Sequence, residues 1–178
     1  HTAVFPNFCK KALVLSIDDR KPQDEKLAGI FNENGIKATF NVYYKNGNYA
    51  KRYAGHEVAS HSDGHINMSA NASEVKTTAE CIAAIENGKT LVESMFGTGS
   101  CTCFAWPYGV PITRSDYSEL LSAVKKNYSY ARAVLTSKNF DIPTDWYDFR
   151  TTCLITELNG YLGDFLKDSE DLKLLSAW

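Results

Sequence analysis

His61-Ser62-Asp63-Gly64-His65 sets two imidazoles four residues apart. From a helical turn or a tight loop, such a pair converges on one metal ion. Gly64 argues against a regular helix interior, and the glutamate of the His-Glu-x-x-His protease motif is absent. Taken alone, the two residues read equally well as surface or capping histidines. Asp18-Asp19 stands where an apolar run ends. Adjacent strand residues point to opposite faces, but past the end of a strand both carboxylates can turn into one pocket. The alternative is an Asx turn or a helix cap. Together, two histidines and one aspartate make the facial set expected for Zn²⁺ or a similar divalent ion, with the second aspartate left to handle a proton. A cation keeps one carboxylate ionised while its neighbour stays available as a base.

These residues meet only if the intervening segments carry them to one place. Ala12–Ile17 is a short apolar run, the pattern of a buried strand. Residues 23–34 place Leu27, Ile30 and Phe31 at helical spacing, with Gly35 where a C-cap belongs. Ala38–Tyr44, rich in β-branched and aromatic residues, predicts a second strand, and Glu57–Ser60 a third that leads into the histidines. Val75, Ala79, Ile82 and Ile85 mark a long helix, for which Asn71 is the expected N-cap with Glu74 three residues on. Cys101–Trp106 is the next strand and breaks at Pro107. Tyr117, Leu120, Leu121 and Val124 line a helix, Tyr130–Leu135 is strand-like, Leu158–Leu166 weakly helical, and Leu172–Trp178 a final strand-like run. This alternation predicts one α/β domain over residues 1–178 with a parallel sheet, open or closed into a barrel. Chemistry in such folds gathers at the carboxyl ends of the strands. Asp18-Asp19, His61 and His65, Pro107-Tyr108-Gly109 and Asp141–Trp146 all fall there.

Charge and composition narrow the partners. Nineteen basic against 21 acidic side chains give a net charge of −2, and no basic run exceeds a pair, so nothing favours nucleic acid or an anionic membrane. No apolar run approaches the roughly 20 residues of a membrane span. Five cysteines (Cys9, Cys81, Cys101, Cys103, Cys153) leave at least one unpaired within the chain and match no Cys-x-x-Cys motif. Cys101 and Cys103 read as two small buried side chains of a strand. Asn67, Asn71 and Asn127 each open an Asn-x-Ser triplet.

Ser16-Ile17-Asp18-Asp19, then Gly55-His56-Glu57-Val58-Ala59-Ser60-His61-Ser62-x-x-His65, then Phe104-Ala105-Trp106-Pro107-Tyr108-Gly109 resemble, in this order, the polysaccharide deacetylases. These are the carbohydrate esterase family 4 enzymes with the NodB homology domain. Asp141-Ile142-Pro143-Thr144-Asp145-Trp146 resembles a fourth motif, and the similarity covers about residues 12–150. The resemblance implies a distorted (β/α) barrel and metal-dependent removal of acetyl groups from a glycan. It assigns Asp19, His61 and His65 to the metal, with Zn²⁺ expected and Co²⁺, Ni²⁺ or Mn²⁺ as alternatives. It makes Asp18 the general base and Tyr108, through its backbone N–H, a holder of the oxyanion. Trp146 would line the sugar groove with Tyr108, a core aromatic being the alternative. His56 reads as a buried structural histidine.

Three departures from the family pattern follow. Arg20 replaces the glycine after the aspartate pair, placing a cation at or beside the site. Ala105 and Trp106 stand where the third motif carries Arg-x, and Arg132 on the neighbouring strand is the candidate substitute, pairing with Asp18 or Asp145. An exposed strand arginine is the other reading of Arg132. No histidine follows His65 to act as the family's general acid. The final run ending in Trp178 resembles the lead-in to that histidine, so the expectation is a barrel incomplete at its C-terminus. Two rival readings remain: a glycan-binding protein on the same fold with catalysis impaired, and a structural metal site in an unrelated α/β domain. The second would call for four protein ligands and a closed coordination sphere.

Overall fold

Strands too short and too apolar to face water on either side must be covered on both, and this chain does so with parallel pairing. The computed structural model describes residues 5, 9–44, 49–168 and 173–178. The strands are β1 (Lys11–Ile17), β2 (Thr39–Val42), β3 (Glu57–Ser60), β4 (Cys103–Ala105), β5 (Tyr130–Thr136), β6 (Phe149–Thr151) and β7 (Lys173–Ala177). They form one parallel sheet in the order β6-β5-β4-β3-β2-β1-β7. A parallel bridge between Cys153 and Ala177, with Thr152 N–H donating to the Ser176 carbonyl at 2.9 Å, brings the two edges together. The result is the nearly closed, distorted (β/α) barrel that the family resemblance implies, where the strand–helix alternation left a parallel sheet open or closed.

Helices α1 (Asp24–Glu33), α2 (Tyr49–Arg52), α3 (Thr78–Phe96), α4 (Tyr117–Asn127) and α5 (Leu158–Lys167) connect the strands. All four β2 residues and all three of β4 are buried, and Phe40, Val42, Phe104, Trp106, Ile85, Val92, Leu120 and Val124 form the centre of the core. α3 lies close on β3. A Cβ at Gly88 would sit 2.3 Å from Ser60 Oγ and 3.0 Å from the Ser62 backbone.

One expectation needs correction, and one strand was not foreseen. α3 starts at Thr77, not Asn71: Thr77 Oγ1 accepts from Glu80 N–H, and Glu80 Oε2 accepts from Thr77 N–H at 2.8 Å, a complete capping box. Residues 66–77 instead run as a loop, and Val75 is exposed. β6 went unpredicted because three residues carry no readable periodicity. His56 is structural as expected. Its Nδ1 accepts from Ala38 N–H, its Nε2 lies 3.1 Å from the Ala28 carbonyl, and its ring packs edge-on against Phe40.

Candidate active site

All six non-glycine residues with left-handed φ among the described residues follow the finishing end of a strand: Asp19 and Arg20 after β1, Ser62 and His65 after β3, Tyr108 after β4, and Lys138 after β5. Such backbone is costly for L residues and persists where surrounding structure holds it. Asp19, His65 and Tyr108 among them bring polar side chains to one mouth of the barrel.

There Asp19, His61 and His65 each offer one ligand atom, all within 4.8 Å of one another. Asp19 Oδ1 lies 3.6 Å from His61 Nε2 and 3.2 Å from His65 Nε2. His61 is buried, with Nδ1 2.8 Å from the Ala105 carbonyl. Donation there puts a proton on Nδ1 and makes Nε2 the nitrogen that faces the cluster. His61 beside it, and Lys21 at 3.2 Å, hold the Asp19 carboxyl well below the usual range against the opposing effect of burial. Burial pushes the His65 imidazole down, and the facing His61 adds to the shift. An ionised carboxylate is the protonation state that a carboxylate metal ligand requires. This donor set fits a divalent ion with nitrogen and oxygen preference.

Asp18 lies beside the cluster without joining it, Oδ2 being 3.9 Å from His61 Nε2. Its carboxylate is gripped by Arg132 Nη2 at both oxygens and accepts from Asn41 Nδ2 at 2.8 Å. Arg132 is 1% exposed, which excludes the reading of a solvent-facing strand arginine. Its Nη1 donates to the Ala133 carbonyl at 2.8 Å, and the Trp178 ring covers its guanidinium at 5.2 Å.

The sequence is matched over residues 6–131 by the polysaccharide deacetylase family. The chain belongs to that family. No curated protein matches it. Among solved structures it is similar to the CE4 domain of a multidomain xylanase from the hindgut metagenome of Trinervitermes trinervoides (17% identity, TM-score 0.54, 94% of this chain and 73% of that one). It is likewise similar to a CE4 family pseudoenzyme from Bacillus anthracis (17% identity, TM-score 0.57, 94% and 54%). A family 4 carbohydrate esterase from Streptomyces lividans also matches (16% identity, TM-score 0.53, 93% and 77%). At these identities the likeness is one of fold.

The other residues named from the deacetylase motifs separate. Tyr108 lies at the mouth, 61% exposed, its ring 4.8 Å from that of His65. Beside it opens a hollow of about 150 Å³ lined by Gly109, Val110, Ile112, Val134 and Leu135. The Trp146 carbonyl instead accepts from Ala131 N–H near the start of β5, and its ring meets Phe149 at the start of β6. The triad gathers past the finishing ends of β1 and β3. Asp145 accepts from Tyr147 N–H at 2.8 Å in a local turn, so Arg132 pairs with Asp18 and not with Asp145. Arg20 stacks on Tyr44 with 4.2 Å between guanidinium carbon and ring centroid, at the rim. Asn41 escaped the sequence reading. The one available signal was a lone amide in the otherwise apolar stretch Phe40-Asn41-Val42.

Proposed function

We propose that this protein is a metal-dependent hydrolase that removes N- or O-acetyl groups from a carbohydrate. The observation that carries the reading is the convergence of Asp19, His61 and His65 beside a separately held Asp18, in a member of the deacetylase family. Asp19 Oδ1 and the Nε2 atoms of His61 and His65 would hold the ion, Zn²⁺ by donor type. When bound, the ion would polarise the acetyl carbonyl and acidify water. Asp18, kept out of the ligand set and fixed by Arg132, takes the proton from the attacking water. The backbone N–H of Tyr108, in a left-handed turn at the mouth, donates to the oxyanion that forms. The products are acetate and a sugar amine or hydroxyl.

Acetate release should be measured from a panel of acetylated glycans, including N-acetylglucosamine oligomers and acetylated xylan, with zinc-loaded and chelated protein. Release from at least one glycan that chelation abolishes and zinc restores is the expected result. A second reading, a glycan-binding protein with impaired catalysis, is raised by the likeness in fold to a CE4 family pseudoenzyme. Glycan binding without release of acetate would establish it.

A further inference from the structure

Asn41 occupies a strand in which every residue is buried, and it is itself 0% exposed. An amide so placed is costly unless its polar atoms are paired. Its Nδ2 is well used, donating to Asp18 Oδ1 and Ser16 Oγ at 2.8 Å each, with the Ile17 carbonyl at 3.4 Å. Its Oδ1 accepts no hydrogen bond among the described residues. The amide's direction is set by what it faces: turned over, its oxygen would confront the Asp18 carboxylate, acceptor against acceptor. The fold thus carries the desolvation cost of one unpaired oxygen and keeps an N–H on Asp18.

The two oxygens of Asp18 are therefore unequal. Oδ1 accepts from both Arg132 and Asn41. Oδ2 accepts from Arg132 and faces His61 Nε2 at 3.9 Å, on the side of the triad. We propose that Asn41 is a positioning residue: by engaging Oδ1 it turns Oδ2 toward the Asp19–His61–His65 cluster as the oxygen that accepts the proton. This inference rests on the deacetylase reading. In the addition step one O–H bond of water breaks, its proton passes to Asp18 Oδ2, the water oxygen bonds the acyl carbon, and the carbonyl π pair moves onto oxygen. Arg132 alone binds both oxygens and does not distinguish them. Asn41 does.

The test compares zinc-loaded parent with Asn41→Leu, of similar volume, and Asn41→Ser, which keeps a short donor. Four readings are needed: kcat and KM for an N-acetylglucosamine oligomer, zinc affinity by calorimetry, and the crystal structure of each variant. The expected result for N41L is a kcat about 10–100-fold lower, with KM and zinc affinity within about twofold of the parent. Its Asp18 carboxylate should be rotated about the Cβ–Cγ bond, and N41S should fall between parent and N41L. An unchanged kcat with the carboxylate in place would overturn the proposal. So would zinc affinity falling in step with activity, since Asn41 would then serve the metal ligands. Failure of both variants to fold would assign the amide to the barrel and overturn it as well. A parent that binds zinc and releases no acetate would overturn the deacetylase reading, while the Asp18 orientation in N41L crystals would still decide the role of Asn41.

Discussion

Arg132 and Asp18 form an ion pair in which the guanidinium side chain is 2% exposed and the carboxylate 11%. Removing one member of such a pair leaves the other charge in a poorly solvated place, at a cost of about 3–5 kcal/mol. Arg132→Met is expected to show that loss in urea unfolding, together with a large fall in acetate release. Arg132→Lys should not restore the parent, because a single ammonium has no second, rigidly spaced nitrogen to donate to the Ala133 carbonyl while the first holds Asp18. An Arg132→Met variant as stable as the parent would show that the pair contributes nothing. At this scale the sequence revealed a good deal. The order and spacing of Asp18, Asp19, His61 and His65 are local patterns, readable without a fold. Asn41 was not readable, because its meaning comes from β1 lying beside β2, and one amide in an apolar strand signals no chemistry of its own.

Two glycines separate the elements that position the site from those that only cover the barrel. In the interior of a helix, Gly→Ala is worth roughly 0.5–1 kcal/mol of stability where space allows. Gly160 in α5 has no atom within 4 Å of a built Cβ, and Gly160→Ala is expected to raise Tm slightly. At Gly88 the same change pushes a methyl into Ser60 Oγ and the Ser62 backbone, beside His61. Overpacking of this kind costs about 1–3 kcal/mol, so Gly88→Ala should lower Tm and weaken zinc binding. Equal, upward Tm shifts in both variants would contradict the close α3–β3 contact. Arg114 secures the loop that follows His65. It binds Asp116 through Nε and Nη2 at 2.7 and 2.6 Å and donates to the Lys76 carbonyl at 3.0 Å, while Thr78 donates to Asp116. The Arg114 guanidinium, then the Thr78 hydroxyl, holds the Asp116 carboxyl well below its ordinary value of 3.8. A depressed carboxyl stabilises the fold above its unfolded value and loses that contribution as pH falls through the folded one. Parent stability should therefore drop as the pH goes below about 4, and Arg114→Met should show a shallower acid slope. Identical slopes would contradict the pairing. The start of α3 shows why element boundaries were less legible than element types. Asn71 and Thr77 both offer a capping oxygen with a glutamate three residues on, and the choice is made by tertiary placement of the loop, which Arg114 helps to fix.

Across the whole molecule the alternation of apolar runs and amphipathic segments was enough to predict parallel strands, because burial on both faces leaves a continuous apolar signature in each. The closure was not readable from periodicity and was expected only from the family resemblance. β6 is three residues long, and the chain just past it meets β7 through the Cys153–Ala177 bridge, a contact between segments with no shared pattern. The same barrel packing hides four of the five cysteines, leaving Cys9 exposed. Burial pushes the Cys101 thiol up to about 12, and Cys103 and Cys81 in the same direction. A thiol reagent at pH 8 should therefore label one cysteine quickly in the native protein and all five after denaturation. Rapid native labelling of Cys101 or Cys103 would contradict the packing of β4. The central claim is a division of labour at the barrel mouth, in which Asp19 holds a metal with His61 and His65 while Asp18 handles the proton. It is tested most directly by measuring zinc affinity and acetate release in parallel for the parent and for Asp18→Asn. The account predicts unchanged zinc affinity and a loss of turnover of about 10²–10⁴-fold. Loss of zinc together with activity would reverse the roles of the two aspartates, and full turnover in Asp18→Asn would contradict the account outright.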